Sequence, residues 1–79
     1  MNVVELQSRL TAEGIHPNHY SLFGGDRENT LSIERARDGW HVYYAERGTR
    51  WDDRIFSDEE EACNYFLKTL LKDPTTRVP

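Results

Sequence analysis

Residues 30–56 read TLSIERARDGWHVYYAERGTRWDDRIF, and the periodicity of this stretch decides the fold. Leu31 and Ile33 alternate with polar neighbours, as do Trp40, Val42 and Tyr44, which is the two-residue period of half-buried strands. Asp38-Gly39 between the two runs predicts a two-residue hairpin turn, because both positions tolerate the positive φ of a type I′ turn. A second turn around Arg47-Gly48 leads into a third run, residues 49–56. There Trp51, Asp53 and Ile55 alternate imperfectly with Asp52, Arg54 and Phe56, which predicts a twist, a bulge or an early departure of Phe56 from the sheet. The result is three antiparallel strands with Leu31, Ile33, Trp40, Val42 and Tyr44 on one face.

Beyond this sheet, Ser57-Asp58-Glu59-Glu60 reads as a capping box with acids at the positive end of a helix dipole. Ala62, Cys63, Phe66, Leu67 and Leu70 form that helix's apolar face, and Lys68 and Lys72 stand near its negative end. Asp73-Pro74 is the expected stop, with a flexible tail from about residue 74. Ahead of the sheet, Val3, Leu6 and Leu10 recur at helical spacing, Asn2 and Glu5 form a second capping box, and Gly14 followed by Ile15 ends the helix. Pro17 prevents its resumption. Residues 20–23 fit a short strand or an extended loop, and Gly24-Gly25 with residues 26–29 reads as a turn. The expectation is one α+β domain over residues 1–79 in α-β-β-β-α order. Its small antiparallel sheet has three to four strands, both helices pack on one face, and the other face is solvated.

The chain has 79 residues, 37% of them hydrophobic and 30% charged, with fourteen acids against ten lysines and arginines. That is room for one core. The net charge of −4 disfavours nucleic acid and anionic membranes as partners and favours a basic protein surface. Cys63 is the single cysteine, so no intrachain disulfide forms and a reducing compartment fits. The opening residues lack a basic segment followed by a long apolar run, so the expected location is the cytoplasm.

Catalytic chemistry finds little support. His16 and His19 are three apart, but Pro17 between them removes the helical spacing that a shared zinc ion would use, and His41 stands alone. Cys63 lies on a predicted buried face among acids, which suits packing rather than nucleophilic attack. Gly24-Gly25 lacks the spacing and the lysine of a phosphate-binding loop. Asp52-Asp53 point to opposite faces of a strand, so they make a poor acid and base pair, and nothing sets Asp53 and His41 beside a nucleophile. No enzyme activity, catalytic residue, metal or cofactor is expected.

Binding chemistry is better represented. The segment from Asp52 to Glu61 holds six acids and one base, a local charge of −5. Beside it stand Tyr43, Trp51, Arg47, Arg50 and Arg54, and aromatic and arginine side chains are the usual anchors of protein interfaces. The candidate partner-binding residues are Tyr43, Arg47, Trp51, Asp52, Asp53, Arg54, Asp58, Glu60 and Glu61. A small regulatory or ligand-binding module, monomeric or dimeric, with aromatics lining a shallow site, is the alternative reading.

Two strings carry a resemblance: Trp40-His41-Val42-Tyr43-Tyr44-Ala45-Glu46-Arg47-Gly48, and Phe56-Ser57-Asp58-Glu59-Glu60-Glu61-Ala62-Cys63. With the preceding Tyr20-Ser21-Leu22 and its Gly-Gly turn, the chain from about Ile15 to Leu71 resembles small bacterial immunity proteins of polymorphic toxin systems, of the contact-dependent inhibition or Rhs type. The resemblance implies a monomeric cytoplasmic inhibitor that binds a cognate toxin domain with a basic cleft, an RNase or an ADP-ribosyltransferase among the options. The element order also resembles the double-stranded RNA-binding domain. That family reads RNA with basic residues at the start of its second helix. This chain has Asp58, Glu59, Glu60 and Glu61 there, so the activity does not carry over.

Overall fold

A computed structural model describes residues 1–25 and 27–72. Asp26, the expected Asp73-Pro74 stop and the expected tail from about residue 74 lie outside the described residues. Helix α1 (Val3–Ala12) is followed by a 3-10 turn at Pro17–His19, strands β1 (Tyr20–Ser21), β2 (Thr30–Ala36), β3 (Gly39–Glu46) and β4 (Thr49–Phe56), and helix α2 (Glu59–Leu71). The fold is α+β in the expected order.

Helix α1 begins as its sequence dictates: the Asn2 side chain accepts from the Glu5 N–H at 2.8 Å, and the Glu5 carboxylate accepts from the Asn2 N–H. It ends on two reversed bonds, Ile15 N–H to Leu10 O at 3.0 Å and Gly14 N–H to Thr11 O at 3.1 Å, which satisfy carbonyls the helix would otherwise leave open. Helix α2 takes Asp58 rather than Ser57 as its N-cap, with the carboxylate accepting from the Glu60 N–H at 2.7 Å.

The sheet order is β1-β2-β3-β4. The three strands of residues 30–56 form an antiparallel meander, but the short β1 pairs parallel to β2, Tyr20 with Leu31 and Ser21 with Ser32, so the sheet is mixed rather than wholly antiparallel. The hairpins also differ from expectation. Ala36 pairs with Gly39, leaving Arg37 and Asp38 as the loop, and neither adopts positive φ. Gly39 instead opens β3 at φ 133, where a Cβ would lie 2.5 Å from the Phe56 carbonyl oxygen. The geometry expected of a type I′ turn falls at Arg47-Gly48, with φ 53 and 74.

Leu6 and Leu10 of α1, Leu31, Ile33 and Val42 of the sheet, and Ala62, Cys63, Phe66, Leu67 and Leu70 of α2 make one core, with Ile15, Tyr20 and Leu22 closing its side. Tyr20 meets Phe66 edge to face at 6.4 Å. Each fully buried aliphatic or aromatic side chain here contributes about 1.5–3 kcal/mol. The opposite face of the sheet is not simply solvated, because Thr30, Ser32, Tyr43 and Ala45 are buried on it. The Thr30 hydroxyl donates to Arg27 O at 2.6 Å, and Gly24 packs so closely on Glu34 that a Cβ would stand 2.9 Å from the Glu34 Cβ.

Candidate functional site

The imperfect alternation of β4 has a structural cause. Tyr44 pairs with Trp51 and Val42 with Arg54, so Asp52 and Asp53 together oppose the single residue Tyr43, a β-bulge in which Asp52 takes φ 52. Aspartate is among the few side chains that tolerate this region. The bulge resets the strand: Trp51, Arg54 and Phe56 share the helix side, while Arg50, Asp53 and Ile55 share the other. Every residue of β4 is exposed except the half-buried Phe56.

On the side away from the helices, Tyr43 is fully buried. Its ring lies under the Arg50 guanidinium at 4.1 Å, and its hydroxyl donates to Glu34 at 3.2 Å. Arg50 also approaches Glu34 at 3.5 Å. Tyr43 was expected to present its ring to a partner, and it instead supports Arg50 from beneath. Next to this stack, His41 stands between two carboxylates, with Nε2 2.7 Å from Asp38 and Nδ1 3.0 Å from Asp53. The hydrogen bond to Asp38 raises the pKa of the imidazole; partial burial opposes this, and the bond to Asp53 reinforces it. The same bond holds the Asp38 carboxyl below its usual value. Both ring nitrogens face carboxylate acceptors, an arrangement that favours the protonated imidazolium, in which neither nitrogen offers a lone pair to a metal ion.

On the helix side, Arg54 lies over the Tyr65 ring at 5.3 Å and Phe56 packs on the same ring at 5.3 Å, joining β4 to α2. The acids at the start of α2 are largely engaged within the protein. Asp58 caps its own helix, Glu59 accepts from the Val3 N–H of α1 at 2.9 Å, and Glu60 lies 3.7 Å from the Met1 amine. The N-termini of the two helices therefore converge, and their positive dipole ends are offset by these carboxylates. Cys63, on the buried side of α2, has its thiol pushed up to about 11 by burial and by the nearby Glu59. It is a packing residue.

Of the nine expected contact residues, Trp51, Asp52 and Glu61 remain as exposed side chains with no ion-pair or hydrogen-bond partner among the described residues. Arg47 is exposed at the β3–β4 turn, where its N–H donates to Glu28. Asp53, Arg54, Asp58 and Glu60 are exposed yet tethered. Sequence reasoning missed Ile55, which is as exposed as Trp51, at 55%. Only the bulge reveals it, by turning Ile55 away from the core. A separate groove of about 330 Å³ lies where β1 stops short along β2, lined by Val3, Leu22, Phe23, Glu34, Arg35, Trp40 and Glu59.

No family model, curated protein or solved structure matches this chain. No helix among the described residues is long and apolar enough to cross a membrane.

Proposed function

We propose that this chain is an immunity protein, a cytoplasmic monomeric inhibitor that binds and neutralises a cognate bacterial toxin domain through the acidic and aromatic surface formed by β4 and the start of α2. The observation that carries the reading is the exposed set of Trp51, on the helix side of β4, Ile55, on its other side, and Asp52 and Glu61, two carboxylates free of internal partners among the described residues. Such a surface complements the basic cleft of an enzyme acting on nucleic acid or on a phosphorylated cofactor, and opposite charge speeds encounter as well as fixing register. That the partner is a toxin rests on the resemblance of the two strings above. A non-enzymatic role is supported by the burial and raised pKa of Cys63, which leave the chain's one thiol poorly suited to nucleophilic chemistry.

The test is co-expression with the variable C-terminal domain of a large secreted protein encoded beside the gene. Rescue of growth from that domain's toxicity is the expected result, and continued killing at adequate expression of both chains rejects the reading. A ligand-binding module is the second reading, favoured by the groove beside Phe23 and Trp40. A thermal-shift screen of the isolated protein separates the two, because a small molecule that raises Tm, and loses its effect in Trp40→Ala, supports the second.

A further inference from the structure

β4 is the last strand of the sheet, with β3 on one side and no neighbouring strand on the other among the described residues. Unpaired edges offer main-chain donors and acceptors to any extended chain, and proteins blunt them with bulges and charges. Here the blunting is local. The bulge at Asp52 and Asp53 interrupts the ladder, while residues 49–51 and 54–56 on either side pair regularly with β3.

The same bulge selects against a second copy. Two β4 strands paired antiparallel about a two-fold axis at the centre of the strand would place Asp52 and Asp53 of both chains at the axis, about 5 Å apart across the pair, where like charges repel. The remaining charges of β4 are compensated from within: Arg50 by Glu34 and the Tyr43 ring, Asp53 by His41, Arg54 by the Tyr65 ring. Asp52 alone among the charged residues of this strand has neither an ion pair nor a ring contact among the described residues, so the edge presents one negative charge without a local partner, flanked along the strand by the exposed apolar side chains Trp51 and Ile55.

We infer that the free edge of β4 receives an extended segment of the partner protein, a strand with Lys or Arg across from Asp52 and apolar side chains against Trp51 and Ile55. This rests on the partner-binding reading and adds its mode, main-chain pairing in place of side-chain contact alone. Alternation along the incoming strand would bring its apolar residues to the two faces on which Trp51 and Ile55 stand.

The experiment pans a phage-displayed decapeptide library on the full-length protein and follows amide hydrogen exchange with the enriched peptide, made synthetically. The expected peptides alternate apolar residues with at least one Lys or Arg. They slow exchange of β4 amides at least tenfold and leave α1 unchanged, and Asp52→Asn weakens binding at least fivefold without lowering Tm. Asp52→Gly, which fits the bulge backbone without a carboxylate, gives the same loss should the Asn variant fold poorly. No enrichment, enriched peptides without a basic residue, or protection outside β4 overturns the inference. So does slow exchange, in the protein alone, of those β4 amides that do not donate to β3, which would mean the edge is already covered by a second copy or by the chain itself. If the peptides fail while co-expression still rescues growth, strand addition falls and the inhibitor reading stands; if the peptides bind at β4 and rescue fails, the edge site stands and the toxin assignment falls.

Discussion

His41 sits between Asp38 and Asp53, and its charge is therefore coupled to folding. The folded chain raises its pKa above the ordinary 6.5, so the folded state holds the proton more tightly than the unfolded state. That contribution is complete below about pH 6.5 and is lost as the pH rises through the folded-state value. Asp38, whose pKa is lowered from 3.8, contributes in the opposite direction, above its unfolded value, and that share is lost as the pH falls through the folded one. Tm should thus decline as the pH rises above about 6.5, and His41→Asn should flatten the decline in a scanning-fluorimetry series. Asp52 makes a second residue-scale case. At φ 52 it holds a conformation that costs most L-residues about 1–2 kcal/mol. Asp52→Gly should leave stability unchanged or raise it by up to about 1 kcal/mol in urea unfolding, and Asp52→Val should lower it by about 1–2 kcal/mol. Little of this was legible in the sequence. Asp52 and Asp53 were visible as acids, but their division into one free carboxylate and one tethered to His41 depends on the bulge, a tertiary feature that period-two alternation registers only as a disturbance.

The elements themselves were far more legible. The Asn2 and Glu5 box and the alternation of residues 30–36 place α1 and β2 because each signal is local: a side chain reaching three residues along, or a period that matches one backbone geometry. The turns were legible in position but not in type. Asp38-Gly39 has the composition of a type I′ turn, yet packing of the first hairpin against the end of β4 shifts the loop to Arg37 and Asp38 and leaves Gly39 facing the Phe56 carbonyl. Gly39→Ala should therefore cost about 2 kcal/mol or more, from both the positive φ and the 2.5 Å approach, read as a lower urea midpoint with an unchanged slope. The parallel pairing of β1 was beyond local signals, since nothing within a two-residue strand specifies the direction of the strand it pairs with, and so was the burial of Tyr43. Alternation assigns Tyr43 to the face away from the helices, and it takes Arg50 stacked above to show that this face is covered.

At the scale of the molecule, the acidity concentrated between Asp52 and Glu61 divides into two parts with different work. Asp58 caps α2, while Glu59 and Glu60 reach the N-terminus of α1, the Glu59 contact with Val3 joining the first helix to the last. Asp52 and Glu61 face outward and are available to a partner, as are Trp51 and Ile55. The central claim is that this outward part of β4 and α2 binds a basic cleft. The measurement that tests it most directly is the association rate with the proposed toxin partner, identified by the co-expression test, at low and at physiological salt, for the native chain and for Asp52→Lys combined with Glu61→Lys. The double variant should stay folded, losing only the roughly 1–2 kcal/mol that a lysine costs at the positive φ of residue 52, and it should associate at least about tenfold more slowly at low salt and lose most of the salt dependence of the native rate. An unchanged rate with an unchanged salt dependence would contradict the claim and place the contact surface elsewhere on the protein.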